Sequence, residues 1–264
     1  KDIENFTPED CVAFYRTYYA PNNATVVVVG DVSEKDVLTR VRDAYGAIPS
    51  SDIPEEDTQP EPPQSELRTV TLRKPTPSEK LLVGYRGPAL GDADHATCVV
   101  LNEILFGGRA SRLYHDLVTT REACTEVRGW VSTFRDPGLY ELYFTARPGI
   151  SGDAILAALD TQLTRVKSEL VDAEELDRAK ARLELGLLQS LETTSGKAEQ
   201  IGFYDTVLGD PAAAFRRLER YRRVTAGEVR TAARRYFVDE ARTIVRVHPE
   251  PETEASPVSE EAGA

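Results

Sequence analysis

An internal repeat narrows the fold more than any other feature of this chain. Residues 6–29 can be laid over residues 224–247 with an offset of 218 and no gaps. Thr7 falls on Thr225, Arg16 on Arg234, Tyr18 on Tyr236, Thr25 on Thr243, Val27 on Val245 and Val29 on Val247. Tyr19 meets Phe237, Val26 meets Ile244 and Asp10 meets Glu228. Both copies read as a capped helix, an aromatic pair, a turn and a buried strand. Solenoid periods are roughly 20–50 residues, so this spacing speaks for tandem domains instead. One unit then ends near residue 48 and a complete second unit runs from about 67 to 248. On this reading most of the first unit lies upstream of Lys1, and its remnant either exposes apolar surface or docks on the second unit. Coincidence between two generic helix–strand units is the alternative, and it leaves an unrelated α+β binding domain in play.

The local signals fill in this outline. Thr7 can cap a helix, Pro8 suits its first turn, and Glu9 and Asp10 favour the positive end of the helix dipole. Pro21-Asn22-Asn23 is a turn, residues 24–29 read as a fully buried strand ended by Gly30, and Ser33 caps a second helix reaching about Tyr45. Further on come strands at 67–73 and 80–85, a helix at 92–105, a Gly107-Gly108 turn and a helix at 109–118. Strands at 126–133 and 139–146 are joined by Arg135-Asp136-Pro137-Gly138, a hairpin signal. Helices at 152–169, 172–191, 196–208, 211–221 and 226–236 precede a last strand at 242–247. Strands and helices in blocks rather than in alternation indicate an α+β fold. Trp130 and Phe134 fall on one strand face and read as core, and Leu183, Leu187 and Leu191 as a packed helix face.

The formal charge of −12 has a local origin. Residues 49–66 carry six acids and residues 249–264 five more, with no base in either stretch. Removing those 11 from the chain's 44 leaves 33 acids against 32 bases. The first stretch reads as an acidic, Pro-rich interdomain linker and the second as a disordered tail. The remaining body is nearly neutral, which gives no case for a nucleic-acid or anionic-membrane partner. No run approaches the ~20 apolar residues of a membrane span. Cys11, Cys98 and Cys124 form no C-x-x-C pair and read as isolated thiols. The glycine turn lacks the lysine and Ser/Thr of a phosphate loop, and Ser195 has no nucleophile-elbow context.

Two stretches carry a resemblance. Phe14-Tyr15-Arg16-Thr17-Tyr18-Tyr19-Ala20-Pro21-Asn22-Asn23-Ala24-Thr25-Val26-Val27-Val28-Val29-Gly30-Asp31 closely resembles a signature of the insulinase/pitrilysin (mitochondrial-processing-peptidase-like) family of zinc peptidases, where it closes the catalytic half. Residues 101–113, ending Phe106-Gly107-Gly108-Arg109-Ala110-Ser111-Arg112-Leu113, look like the opening of that family's second, non-catalytic half. The resemblance implies a clamshell of two homologous α+β halves enclosing a peptide-sized chamber. Each half would be an α/β roll, a mixed or antiparallel sheet packed by long helices. It also implies zinc in the first half, held by an inverted H-x-x-E-H helix that places both imidazoles on one face and activates water.

That motif is absent from this chain, whose histidines are His95, His115 and His248. Overlaying the family's catalytic helix, anchored at Phe106-Gly107-Gly108, puts Val99 and Glu103 at the histidine positions and Asn102 at the catalytic glutamate. Valine cannot ligate and asparagine cannot serve as a base at neutral pH. The expectation is an empty half with no catalytic or metal residues of its own, the zinc belonging to the N-terminal half upstream. A metal site of His95, Glu103 and His115 is the weaker alternative. The arginine and tyrosine with which active members hold the substrate carbonyl fall on Val118 and Thr125. Arg121 and Arg128 also lie seven apart, and a shifted register makes Arg121 a partial substitute. Phe106, Gly107, Gly108, Arg109, Arg112 and Arg121 are the candidate substrate contacts, with a plain helix–helix turn as the competing reading.

The expected role is the C-terminal region of a bacterial-type zinc peptidase, inactive alone and roofing a chamber for peptides. Its partners would be the N-terminal catalytic half and peptide substrates, with any targeting signal upstream of Lys1. The alternative is a non-proteolytic structural or peptide-binding homologue, as in the family's core subunits of respiratory complexes.

Overall fold

A computed structural model describes residues 2–55 and 59–250. The proposed tail from residue 251 onward and residues 56–58 of the proposed linker lie outside the described residues. In chain order the elements are α1 (Asp2–Asn5), α2 (Pro8–Tyr18), α3 (Glu34–Tyr45), β1 (Arg68–Lys74), β2 (Lys80–Arg86), α4 (His95–Phe106) and α5 (Arg112–Tyr114). They continue with β3 (Cys124–Val131), β4 (Leu139–Ala146), α6 (Gly152–Ser168), α7 (Ala173–Ser190), α8 (Thr194–Leu208), α9 (Ala213–Arg223), α10 (Ala226–Tyr236) and β5 (Thr243–Pro249). Contacts divide the chain into two compact units, one of Lys1–Pro63 with Lys180–Arg223, the other of Gln64–Ala179 with Val224–Ala264.

The larger unit is built on a five-stranded mixed sheet in the order β1-β5-β2-β4-β3. The last strand of the chain is inserted second: β5 runs parallel to β1 and antiparallel to β2, so Val245 stands between Val70 and Leu82. Period-two alternation gives the sheet one apolar face. Leu81, Val83 and Tyr85 of β2 are buried, as are Tyr140, Leu142, Phe144 and Ala146 of β4. Helix α10 contacts both α4 and α6 over that face, with α4 against β3 and α6 against β4. Phe237, fully buried, lies with its ring 5.1 Å from that of Tyr85 and 4.9 Å from that of Tyr140. Arg235 and Tyr236 both reach Asp94 at the start of α4, at 2.6 and 3.2 Å.

The two copies of the repeat share their backbone in detail. Thr7 and Thr225 each close a capping box, with Asp10 and Glu228 in the reciprocal role. The helices end alike, Tyr19 at φ −93°, ψ 57° and Phe237 at φ −92°, ψ 64°. A 3-10 turn follows each, Pro21–Asn23 and Asp239–Ala241. After that the copies part. Residues 243–249 enter the sheet, whereas residues 24–29 pair with no strand among the described residues and leave Val26 and Val28 exposed. The buried strand expected there is therefore corrected to a bare extended segment, because no neighbouring strand supplies its hydrogen bonds.

In the smaller unit that segment rests on α8 by alternate residues. Thr25 donates to the Asp205 carboxylate at 3.1 Å, and Val27 lies against Gly202. Ser51 ties the start of the linker back to the turn, donating its N–H to Asn22 and its hydroxyl to the Arg16 carbonyl. Between α8 and α9, Arg217 donates to the hydroxyls of Tyr204 and Tyr221.

Two further expectations need correcting in the larger unit. The helix read at 109–118 is a single α turn running into a π-helical turn, His115–Thr120, in which Arg121 N–H reaches back to the Asp116 carbonyl. Val118-Thr119-Thr120 is a β-branched run that suits a regular α-helix poorly, and the widened turn still keeps Leu113 and Leu117 buried. Trp130 and Phe134 are not core: both are exposed and meet edge to face at 6.0 Å, because Trp130 points away from the face that buries Val127 and Val131.

Candidate functional site

The helix on which the family resemblance overlays a metal-binding helix is α4. Val99, Asn102 and Glu103 lie on one side of it, half-buried. Asn102 donates its amide to the Gly129 carbonyl on β3 at 3.0 Å, so it pins helix to sheet. A Cβ on Gly129 would lie 2.2 Å from Asn102 Oδ1 and 2.4 Å from Phe106, which is why only glycine allows this approach. The donor set does not fit zinc, since Val99 offers no lone pair and the Asn102 amide nitrogen is already a donor to backbone. Among the described residues no group of three His, Cys, Asp or Glu side chains could hold a metal ion. The histidines are held apart by different partners. His95 is buried with Nε2 3.0 Å from the Ser132 carbonyl, His115 Nδ1 lies 3.4 Å from the Thr120 hydroxyl, and His248 sits 3.7 Å from Glu79.

The glycine turn after α4 closes on itself. Gly107 N–H bonds the Glu103 carbonyl at 2.8 Å, and a Cβ there would strike the Glu103 carboxylate at 2.1 Å. Gly108 has φ 79°, a left-handed conformation that favours glycine, and its carbonyl accepts from the Ser111 hydroxyl at 2.8 Å. Phe106 is buried, its ring 6.3 Å from that of Phe144. Arg112 turns inward to a bidentate pair with Glu175 on α7 at 2.8 and 2.6 Å, both side chains 11% exposed. Arg121 pairs with Asp116 at 2.7 Å. Arg109 differs, because it makes no ion pair among the described residues. It lines a shallow groove of about 410 Å³ with Tyr114, His115 and Val118. Thr125 spends its hydroxyl on the Thr145 carbonyl at 3.4 Å, and Arg128 is paired with Glu126.

Two surfaces lie outside the candidate residues named from the sequence, and the second is the apolar exposure expected of residues 1–48. One is the helix-free face of the sheet, with Leu82, Tyr143, Val245 and Trp130 in its alternate positions. The other is an open cavity of about 830 Å³ within residues 15–48, lined by Tyr15, Tyr19, Val26, Val28, Val37 and Leu38 among others. The repeat explains it. In the second copy Val224, Val229, Ala232, Ala233, Phe237 and Ile244 are buried. Their counterparts in the first are Phe6, Cys11, Phe14, Tyr15, Tyr19 and Val26, and every one is exposed, Tyr19 by 68%. The signal was available, since the same positions are apolar in both copies.

Comparison with known proteins places this arrangement. A family profile described as the peptidase M16 inactive domain matches residues 5–183. An uncharacterised zinc protease of Streptomyces coelicolor is 28% identical over 239 residues, covering 88% of this chain and 51% of that one. Zinc protease PqqE of Helicobacter pylori is 25% identical over 251 residues, covering 94% and 56%. The chain thus spans about half the length of the curated relatives it matches. The crystal structure of a protease from Helicobacter pylori superposes with a TM-score of 0.86 at 24% identity, over 94% of this chain and 60% of that one. The peptidase M16 inactive domain from Pseudomonas fluorescens gives 0.80 at 20% identity, over 94% and 58%. At those identities the superpositions speak for the fold alone. With a profile covering more than half of its length, the chain belongs to the peptidase M16 inactive-domain family.

Proposed function

We propose that this chain is the non-catalytic wall of a peptide-enclosing chamber in a zinc metallopeptidase, together with the segment that closes the adjoining catalytic half. Residues 1–48 would complete that first half, residues 49–66 link the two, and residues 67–248 form the empty half. The exposure of six repeat positions in the first copy, each buried in the second, carries the reading. A face that apolar cries out in water for a homologous body to cover it, with helices in the places that α4 and α6 take against α10. Zinc would be held by that body, and the chain's own residues would enclose the peptide and exclude water. Of the glycine-turn candidates, Arg109 is the one we assign to substrate, because Arg112 and Arg121 are engaged by Glu175 and Asp116.

Zinc analysis and peptide hydrolysis on the tag-free chain test the reading. Near-zero zinc and no cleavage are expected, with zinc-dependent cleavage in the polypeptide extended upstream through an H-x-x-E-H helix. About one zinc per chain, or hydrolysis by the present chain alone, would overturn it. Val118 and Thr125, at positions where active members carry arginine and tyrosine, favour a second reading as a non-proteolytic homologue. An upstream segment without H-x-x-E-H would decide for that second reading.

A further inference from the structure

The helix-free face of the sheet carries a charge pattern opposite to that of the whole chain. Strand register and alternation put Arg68, Val70, Leu72 and Lys74 of β1 on this face, beside Thr243, Val245 and Val247 of β5. They add Lys80, Leu82, Gly84 and Arg86 of β2 and Leu139, Glu141, Tyr143 and Thr145 of β4. Glu126, Arg128 and Trp130 of β3 complete it. Five cations thus face two acids in a chain of net charge −12, and Glu126 is neutralised by Arg128.

The cations are not scattered. Lys74 and Lys80 stand at one end of adjoining rows, opposite Pro249 and Val247 of β5, whereas Arg68 and Arg86 mark the other end. Between them runs an apolar strip, Val70–Val245–Leu82–Tyr143, directly across four strands. Along β2 the span from Lys80 to Arg86 is six residues, about 20 Å at the rise of an extended strand. Arg68, Lys74 and Lys80 make no ion pair among the described residues, so their charge is available to a ligand.

Resting on the chamber reading above, we propose that this face binds extended peptide segments of about seven residues with acidic side chains at both ends and apolar ones between. Carboxylates would meet Lys74 and Lys80 at one end and Arg68 at the other, while the apolar middle covers Leu82 and Val245. An extended strand presents alternate side chains to one surface, so positions one, three, five and seven of the peptide face the sheet.

The test compares two dye-labelled heptapeptides with the same Val/Leu/Tyr centre, one ending in glutamates and one in lysines, by fluorescence anisotropy on the full chain. The acidic peptide is expected to bind about tenfold tighter, as for several exposed charge pairs acting together, and the gap should close in high salt. The charge-reversal variant Lys74→Glu/Lys80→Glu should invert the preference while keeping the circular dichroism spectrum. Equal binding of both peptides, or a preference untouched by the variant, overturns the charge selectivity and leaves the chamber wall standing. Binding of neither peptide overturns both.

Discussion

Phe237 and Tyr19 occupy the same place in two copies of one structural unit, yet they should respond to truncation very differently. Phe237 is fully buried against Tyr85 and Tyr140, so Phe237→Ala removes a core ring and leaves a cavity, at a cost of about 3–5 kcal/mol. Tyr19 is 68% exposed, and its ring stacks on that of Tyr15 at 4.8 Å. Tyr19→Ala should therefore cost about 1 kcal/mol or less. Urea unfolding followed by far-UV circular dichroism separates the two, with Trp130 fluorescence reporting the larger unit. At a slope of about 2–3 kcal/mol/M, Phe237→Ala should lower the midpoint by about 1–2 M, while Tyr19→Ala barely moves it. In the polypeptide extended upstream by the homologous half, the Tyr19 penalty should rise to that of Phe237. Equal penalties in the present chain, or no rise in the longer one, would refute the reasoning from the repeat.

Breaking the Arg112–Glu175 pair by Arg112→Ala should cost about 3–5 kcal/mol, because both partners are nearly buried and the carboxylate is left unpaired. The double variant Arg112→Met/Glu175→Leu should recover most of that in thermal melts; if it does not, the pair's role is not stability. Burial pushes the Tyr85 hydroxyl up to about 12 from its ordinary value near 10, against the opposing pull of Arg242. The folded state thus holds this proton more tightly, and the associated stability is intact below pH 10 and lost as pH rises from about 10 to 12. Tyr85→Phe should flatten that alkaline loss in pH-dependent melts, and an unchanged profile would contradict the assignment.

Much of this was legible in the sequence, and the reasons differ by element. The second copy's helix and strand were readable because Thr225, Glu228 and the β-branched residues Thr243, Ile244, Val245 and Val247 agree with the tertiary context that receives them. Residues 24–29 carry the same local signal, but a strand needs partners, and a local pattern does not say whether they are present. The position of β5 between β1 and β2 is a non-local pairing that no local pattern specifies. Trp130 was misread because aromatic alternation tells which residues share a face, not which face the helices cover. That Val99 offers no donor for zinc was readable from residue type alone, whereas the capture of Arg112 by Glu175, 63 residues away, was not.

Cys11 gives the most direct access to the claim that residues 1–48 close a separate homologous half. Its repeat counterpart, Val229, is fully buried, whereas Cys11 is exposed and Cys98 and Cys124 are buried. Burial also pushes the Cys124 thiol up to about 12, and that of Cys98 up as well, so neither competes as a thiolate at neutral pH. Native alkylation followed by peptide mass mapping should therefore label Cys11 alone in the present chain. In the polypeptide extended upstream by the homologous half, Cys11 should become protected. Equal labelling of Cys11 in both would contradict the account.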